Sequence, residues 1–113
     1  YTYAVINGRP NFHINIITDV SPNCDRHSEN DAPIVPNIGM LASFDPVALD
    51  LACADLVNKQ DAFENSNLGE HIKANVEGED NFHINHPETN WQSCIEHGVK
   101  IGIGNDKYEL IKM

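Results

Sequence analysis

The sequence predicts a small α/β fold in which a mixed sheet packs with two helices. Two stretches, residues 12–20 and 39–43, have the β-branched and apolar composition of strands. Residues 45–59 carry apolar side chains at helical spacing, and a second helical pattern begins at Asn90. The resulting order of strand, strand, helix, insertion, helix and final strand is typical of a layered α/β domain.

Three segments have the composition of strands. FHINIITDV at residues 12–20 combines Ile, Val and Thr, and the loop-forming residues SPNCDRHSENDAP follow it. Proline cannot donate a backbone hydrogen bond, so Pro33 and Pro36 delay the second strand until residues 39–43. The closing stretch KYELIKM, residues 107–113, predicts a final strand.

The first helix is predicted from Asp45 to about Lys59. The Asp45 side chain can accept a hydrogen bond from a backbone N–H of the first turn, and Pro46 lacks the donor that would be unpaired there. One apolar stripe follows at i, i+3, i+4, i+7 and i+8, made of Leu49, Ala52, Cys53, Leu56 and Val57. Its place in this stripe predicts that Cys53 is a core residue.

The second helix is predicted to begin at Asn90 and to bury Trp91 and Cys94. Glycines at positions 102 and 104 follow it and look like its C-cap rather than a phosphate-binding loop. Residues 60–88, between the two helices, are acidic and lack apolar periodicity. We therefore expect a variable insertion, a lid or a mobile loop there.

Length and charge narrow the class of protein. A chain of 113 residues is expected to form a single domain over residues 1–113. Its 17 Asp and Glu against 7 Lys and Arg give a net charge of -10, so we expect neither nucleic acid nor a membrane as a partner. Three widely spaced cysteines do not form a disulfide framework, which favours a cytoplasmic protein. The opening YTYAV resembles the interior of an element and suggests a fragment of a longer protein.

The pentapeptide NFHIN occurs twice, at residues 11–15 and 81–85, and Cys-x-x-His follows each copy at the same offset. A duplication should preserve secondary structure as well as letters. The first copy continues into a strand pattern, whereas the second continues into HPETN, a turn and a helix cap. The pattern therefore favours coincidence over a duplicated metal-binding unit.

Metal binding remains a separate hypothesis. Cys24, Asp25 and His27 lie in the loop after the first strand, where α/β proteins often place ligand-binding groups, and thiolate and imidazole are common zinc ligands. The competing interpretation is a solvated polar turn. Cys94 and His97 could complete a four-ligand site, although core packing suits Cys94 better, and a partly exposed side chain is the commoner outcome for His97.

Other polar residues are weaker candidates for ligands. His83 and His86 have His-x-x-His spacing but lie in the predicted insertion. Asp19, at the end of the first strand, could be a ligand, a base or a loop-capping acceptor, and the last role suits its position best. No nucleophile motif or dinucleotide fingerprint appears.

The segment DVSPNCDRHSENDAPIVPNIGMLASFDPVALDLACADLVN resembles the C-terminal part of proteins of the "domain of unknown function 362" family, as does HGVKIGIGNDKYELI near the end. PIVPNIGMLAS and DPVALD are the most specific pieces. The resemblance implies that this chain is the C-terminal portion of a larger α/β protein from bacteria or archaea. Many members of the family carry a ferredoxin-type segment for two four-iron clusters.

The resemblance implies an iron-sulfur-associated protein with redox or metal-dependent chemistry, acting with a missing N-terminal part. The four-iron clusters are expected only upstream, because cysteines at 24, 53 and 94 cannot form the closely spaced cluster run. Relatives often have a second cysteine where this chain has Arg26. This departure weakens a two-thiolate metal site and leaves Cys24, Asp25 and His27 as its remnant, with zinc or iron as the metal that the loop could hold. The alternative is a non-catalytic structural or partner-docking domain without its own metal. An exposed apolar sheet face would favour a homodimer.

Overall fold

The computed structural model describes residues 1–113 as a small mixed α/β fold with five helices and a two-stranded antiparallel sheet, which confirms the predicted class. In chain order the elements are α1 (Thr2–Ile6), β1 (His13–Ile17), β2 (Gly39–Ser43), α2 (Pro46–Asn58), α3 (Asn67–Lys73), α4 (Asn81–Asn85) and α5 (Gln92–Lys100). None of these helices has both the length and the apolar character needed to cross a bilayer.

The chain divides into two compact units. The first, called the Asp45 unit, contains residues 1–16, 40–55 and 91–113. The second, called the Cys24 unit, contains residues 17–39 and 56–90. Each unit has its own buried apolar residues: Val47, Ala48, Leu49 and Ala52 in the first, and Ile17, Ile34, Val35, Val57 and Leu68 in the second.

β2 coincides with the predicted residues 39–43, whereas β1 covers only His13–Ile17 of the predicted residues 12–20. Asn15 of β1 donates through Nδ2 to Asp50 Oδ1 at 2.8 Å and to Cys53 Sγ at 3.5 Å, which ties one face of the sheet to α2. Cys53 is half-buried rather than enclosed in the core, and this burial raises the pKa of its thiol.

Helix α2 begins as the Asp-Pro signal predicts. Asp45 Oδ1 accepts hydrogen bonds from the backbone N–H groups of Val47 and Ala48, both at 3.0 Å. The predicted stripe supplies three buried residues, Leu49, Ala52 and Val57, with Cys53 and Leu56 half-buried beside them. The cap therefore fixes where this helix starts, and the stripe gives part of its buried side, which also includes Val47 and Ala48.

Helix α5 is present, but the prediction that Cys94 packs in the core is wrong. Only Gly98 of this helix is buried, because it lies against Val47, where an added Cβ would come within 2.8 Å of Val47 Cγ2. Cys94, one turn earlier, is exposed. Apolar spacing on a nine-residue helix does not show which turn packs against the rest of the unit. Here the packing contact, with Val47, is made at Gly98, which has no side chain.

Of the two glycines after α5, only Gly102 has the capping role expected of both. Gly102 has a φ of 79°, a left-handed conformation in which a side chain is strained, and Ile103 N donates to Gly98 O at 2.9 Å. Gly104 serves a close approach instead, because an added Cβ would overlap the Asp45 carboxylate.

Residues 60–88 contain regular structure that apolar periodicity does not reveal. Helix α3 is capped by Ser66, whose Oγ accepts from Gly69 N at 3.1 Å, and α4 is capped by Asp80, whose Oδ1 accepts from His83 N at 2.9 Å. Leu68 of α3 is fully buried. Helices of five and seven residues are shorter than the window in which periodicity can be read, so their caps are the only local signal.

The prediction of a strand at residues 107–113 is wrong. This segment has no regular secondary structure, and the sheet contains only β1 and β2. Its one long-range side-chain hydrogen bond joins Tyr108 Oη to Asp55 Oδ2 at 2.6 Å. Strand composition gives a strand only where a neighbouring strand offers backbone partners, and that pairing is not encoded locally.

Candidate functional site

The predicted site lies on a loop that three polar residues, here called the Asn clamp, hold closed at its base. Asn30 Nδ2 donates to Ser21 Oγ and to Asn23 O, both at 3.0 Å, and Asn30 Oδ1 accepts from Asn23 N at 3.1 Å. Asn23 Nδ2 donates in turn to Glu29 O at 3.3 Å. The clamp made of Ser21, Asn23 and Asn30 therefore fixes both ends of residues 24–29.

The clamped segment presents the three predicted ligands to solvent. Cys24, Asp25 and His27 are all exposed. His27 N donates to Cys24 O at 2.9 Å, which closes a turn between these two residues. The structure thus brings the thiol and the imidazole into the same turn of a loop whose base is hydrogen-bonded.

Asn85, the last residue of α4, and His86, its C-cap, hold the start of this loop. Pro22 O accepts hydrogen bonds from Asn85 Nδ2 at 2.9 Å and from His86 Nε2 at 2.6 Å. His86 Nδ1 lies 3.0 Å from Glu88 Oε1, so both ring nitrogens of His86 face oxygen acceptors. Hydrogen bonds from its own backbone N–H and from His86 hold the pKa of Glu88 below its ordinary value.

Asn85 also carries an unpaired polar atom beneath the loop. Its side chain is 5% exposed, and its Oδ1 has no hydrogen-bond partner. Asn85 Nδ2 donates to Pro22 O, so flipping the amide would instead place Asn85 Oδ1 against this carbonyl oxygen, and both atoms are acceptors. A buried acceptor without a donor costs about 1–3 kcal/mol, so Asn85 makes its hydrogen bond to Pro22 O while leaving one acceptor unpaired.

The types of side chain on the loop suit a metal ion, but too few of them are grouped to complete a metal site. A thiol, an imidazole and a carboxylate are the ligand types that zinc takes. However, no group of three or more His, Cys, Asp or Glu side chains is arranged to hold an ion. The loop therefore supplies ligands of the right kind without a complete coordination sphere.

The remaining predicted candidates have other surroundings. His83 Nδ1 lies 3.1 Å from Asp80 Oδ1 in the cap of α4. Cys94 and His97 are exposed on α5, which belongs to the Asp45 unit, whereas Cys24 and His27 belong to the Cys24 unit.

Asp19 does not have the acceptor role that its position suggests. It is exposed with a φ of 48°, and its backbone N–H donates to Asn37 Oδ1 at 2.8 Å. Just beyond it, Ile34 N donates to Val20 O at 2.8 Å, which draws together the two ends of the long connection. The side chain that caps this connection is therefore Asn37.

The sequence did not reveal the residues that hold the loop without being ligands themselves. The only local signal for the clamp is a pair of asparagines, Asn23 and Asn30, in a loop rich in such residues. Asn85 ends the second copy of NFHIN, which forms α4, whereas the first copy forms part of β1. The two copies thus differ in secondary structure, as a chance repeat should.

Comparison with known proteins identifies one family. The model of the family described as Domain of unknown function (DUF362) matches residues 1–55. The match contains the Cys24 loop, both strands and the DPVALD segment, but not α3, α4 or α5. No curated protein and no solved structure matches the chain.

Proposed function

We propose, from the match of residues 1–55 to the DUF362 family model, that this chain binds a zinc or iron ion at the Cys24 loop within a redox or metal-dependent protein. The role is assigned to Cys24 and His27 as ligands, with Asp25 as a third donor. Zinc bound there would supply Lewis acidity, and iron would supply a redox centre.

The observation that supports this proposal is an exposed thiol on a loop whose base is hydrogen-bonded. Cysteine is among the residue types most often buried, yet Cys24 is exposed beside an exposed Asp25 and His27. The Asn clamp and the two hydrogen bonds from α4 to Pro22 O hold the loop that carries them. A turn whose only role is to be solvated needs no such support, whereas a ligand-binding turn does.

The residues of this chain have limited but defined tasks in the proposal. The Cys24 thiolate and the neutral His27 imidazole donate electron pairs, and the clamp keeps them in one turn. The chain has no run of cysteines for a four-iron cluster. Such clusters, and the N-terminal part of the protein that would carry them, are proposed from the family resemblance alone.

Metal titration of protein purified without a His tag tests the proposal. Cobalt(II) serves as the probe, because its charge-transfer absorption reports a thiolate ligand, and zinc then competes for the same site. We expect Cys24→Ala and His27→Ala each to weaken cobalt binding at least tenfold. Cys94→Ala and His97→Ala form the matched control, since this second Cys-x-x-His pair is also exposed. Equal losses in both pairs, or no binding by the wild type, would contradict the proposal.

A variant of the clamp separates a positioned site from two independent surface ligands. Asn30→Ala removes two donated and two accepted hydrogen bonds while leaving Cys24 and His27 in place. We expect weaker cobalt binding with an unchanged thiolate absorption at saturation. Unaltered affinity would mean that the clamp has no part in holding the ligands.

A second candidate function, a non-catalytic docking domain without its own metal, is supported by a different observation. One face of the β1–β2 sheet exposes large apolar side chains, including Phe12, Ile16 and Phe44. Exposed apolar patches of this kind mark interaction surfaces. Protein that binds no cobalt but self-associates would favour this candidate over the first.

A further inference from the structure

The exposed face of the β1–β2 sheet, here called the apolar face, consists of Ile14, Ile16, Met40 and Ala42, together with Phe12 just before β1 and Phe44 just after β2. The side chains of both strands alternate, so that even-numbered residues point to solvent. The exposed fractions are 54% for Phe12, 56% for Ile14, 68% for Ile16, 69% for Met40 and 78% for Phe44. The rings of Phe12 and Phe44 contact each other with centroids 4.9 Å apart.

This arrangement reverses the usual polarity of a half-buried sheet. The face that carries Asn15 is tied to α2 by polar contacts, whereas the face turned to solvent carries no polar side chain. Antiparallel sheets normally place the apolar side inward. A two-stranded sheet is also marginally stable by itself, so a second layer on the apolar face would stabilise it.

The area of the apolar face is large for a chain of this size. Taking roughly 150–200 Å² for each fully exposed large apolar residue, the five large residues present roughly 500–650 Å². That is at the upper end of the largest patch on an ordinary monomer, about 300–600 Å². It also supplies most of the about 800 Å² per partner that a stable interface buries.

We propose that the apolar face is a homodimer interface, covered by the same face of a second copy. This inference rests on the apolar surface named in the second candidate function, and it does not depend on whether the Cys24 loop binds a metal. A two-fold axis brings identical patches together, so the patch has to be complementary to itself. An uncharged face meets this condition, because no like charges are opposed across the axis.

The charge of the chain distinguishes a second copy from a partner attracted by charge. The chain has a net charge of -10, so a partner chosen by charge would be basic and would seek acidic residues. The apolar face has no acidic residue to offer. Two copies repel each other through their net charge, so added salt should strengthen the dimer by screening, whereas salt would weaken binding to a basic partner.

Sedimentation equilibrium of the complete chain at two salt concentrations tests the inference. Ile16→Lys places like charges against each other in the proposed interface. Ile111→Lys is the matched control, because Ile111 is 71% exposed, belongs to the same unit and lies outside the apolar face. Both changes are at exposed positions, and circular dichroism melts verify that both variants fold.

We expect the wild type and Ile111→Lys to form dimers that tighten with salt, and Ile16→Lys to dissociate with a constant at least tenfold higher. A wild type that stays monomeric at every concentration, or equal effects of the two variants, would overturn the inference. The fluorescent probe ANS then separates the two levels of the proposal. If the wild type is a monomer and Ile16→Lys reduces its ANS fluorescence, the dimer alone is overturned. If the monomer does not bind ANS, the docking candidate is overturned as well.

Discussion

Replacing Asp45 by alanine should destabilise the protein, because this carboxylate joins two parts of the chain. Oδ1 accepts from the first-turn N–H groups of Val47 and Ala48, both at 3.0 Å. Oδ2 accepts from Asn105 N at 2.8 Å and from Asn105 Nδ2 at 3.2 Å. One side chain therefore caps α2 and anchors the segment that follows α5.

The expected loss follows from these four hydrogen bonds. Loss of an N-cap acceptor costs about 0.5–2 kcal/mol, and each further hydrogen bond contributes about 0.5–1.5 kcal/mol. We expect Asp45→Ala to lower the free energy of unfolding by about 2–4 kcal/mol, because water compensates part of the exposed bonds to Asn105. Asp45→Asn keeps the cap acceptor but turns an amide donor towards Asn105, so its loss should be about half as large.

The stabilisation by Asp45 should also depend on pH. Burial raises the pKa of this carboxyl, but hydrogen bonds from Ala48, Asn105 and Val47 outweigh burial and hold its pKa below the ordinary value of 3.8. A carboxyl with a lowered folded-state pKa stabilises the fold above its unfolded pKa and loses that contribution as the pH falls. The difference between wild type and Asp45→Ala should therefore shrink below about pH 4.

Urea denaturation followed by circular dichroism measures both effects. Asp106→Ala, which removes an exposed carboxylate next to Asn105, controls for the change in net charge. A loss below about 0.5 kcal/mol for Asp45→Ala at pH 7, or a loss equal to that of Asp106→Ala, would refute the reasoning.

Two further predictions use spectroscopic and chemical probes. Cys24 and Cys94 are exposed and Cys53 is half-buried with a raised pKa, so a thiol reagent at neutral pH should modify two cysteines of the folded chain quickly and Cys53 slowly; three equal rates would contradict the placement of Cys53. The hydrogen bond to Asp55 raises the pKa of Tyr108 to about 12, so absorbance titration should show a tyrosine ionising there. Asp55→Asn should return the pKa of Tyr108 towards 10.0, and an unchanged titration curve would argue against the hydrogen bond between Tyr108 and Asp55.

Elements with local signals could be predicted, and those defined by contacts could not. The Asp-Pro cap and its apolar stripe locate α2, and the prolines before β2 locate that strand. Helices α3 and α4 were not predicted, because seven and five residues are too few to show a helical period of apolar side chains. The final segment has strand composition but no backbone partner, so composition alone misassigns it.

The candidate site could likewise be predicted only in part. Its three ligand-type residues follow from residue type and position after a strand, and the family match covers them. The Asn clamp could not be predicted, because it depends on which of several asparagines meet across the loop. The support from Asn85 depends on a residue 63 positions away from Pro22.

The sequence by itself determined the α/β class, the positions of both strands and α2, and the loop on which Cys24 and His27 lie. These features depend on neighbouring residues, through backbone preference, capping and periodicity. Only the tertiary structure decided that Cys94 is exposed, that residues 107–113 are not a strand, and that an apolar sheet face points to solvent. The physical reason is that burial is a property of contacts between distant segments. The same string NFHIN therefore forms strand in one place and helix in another.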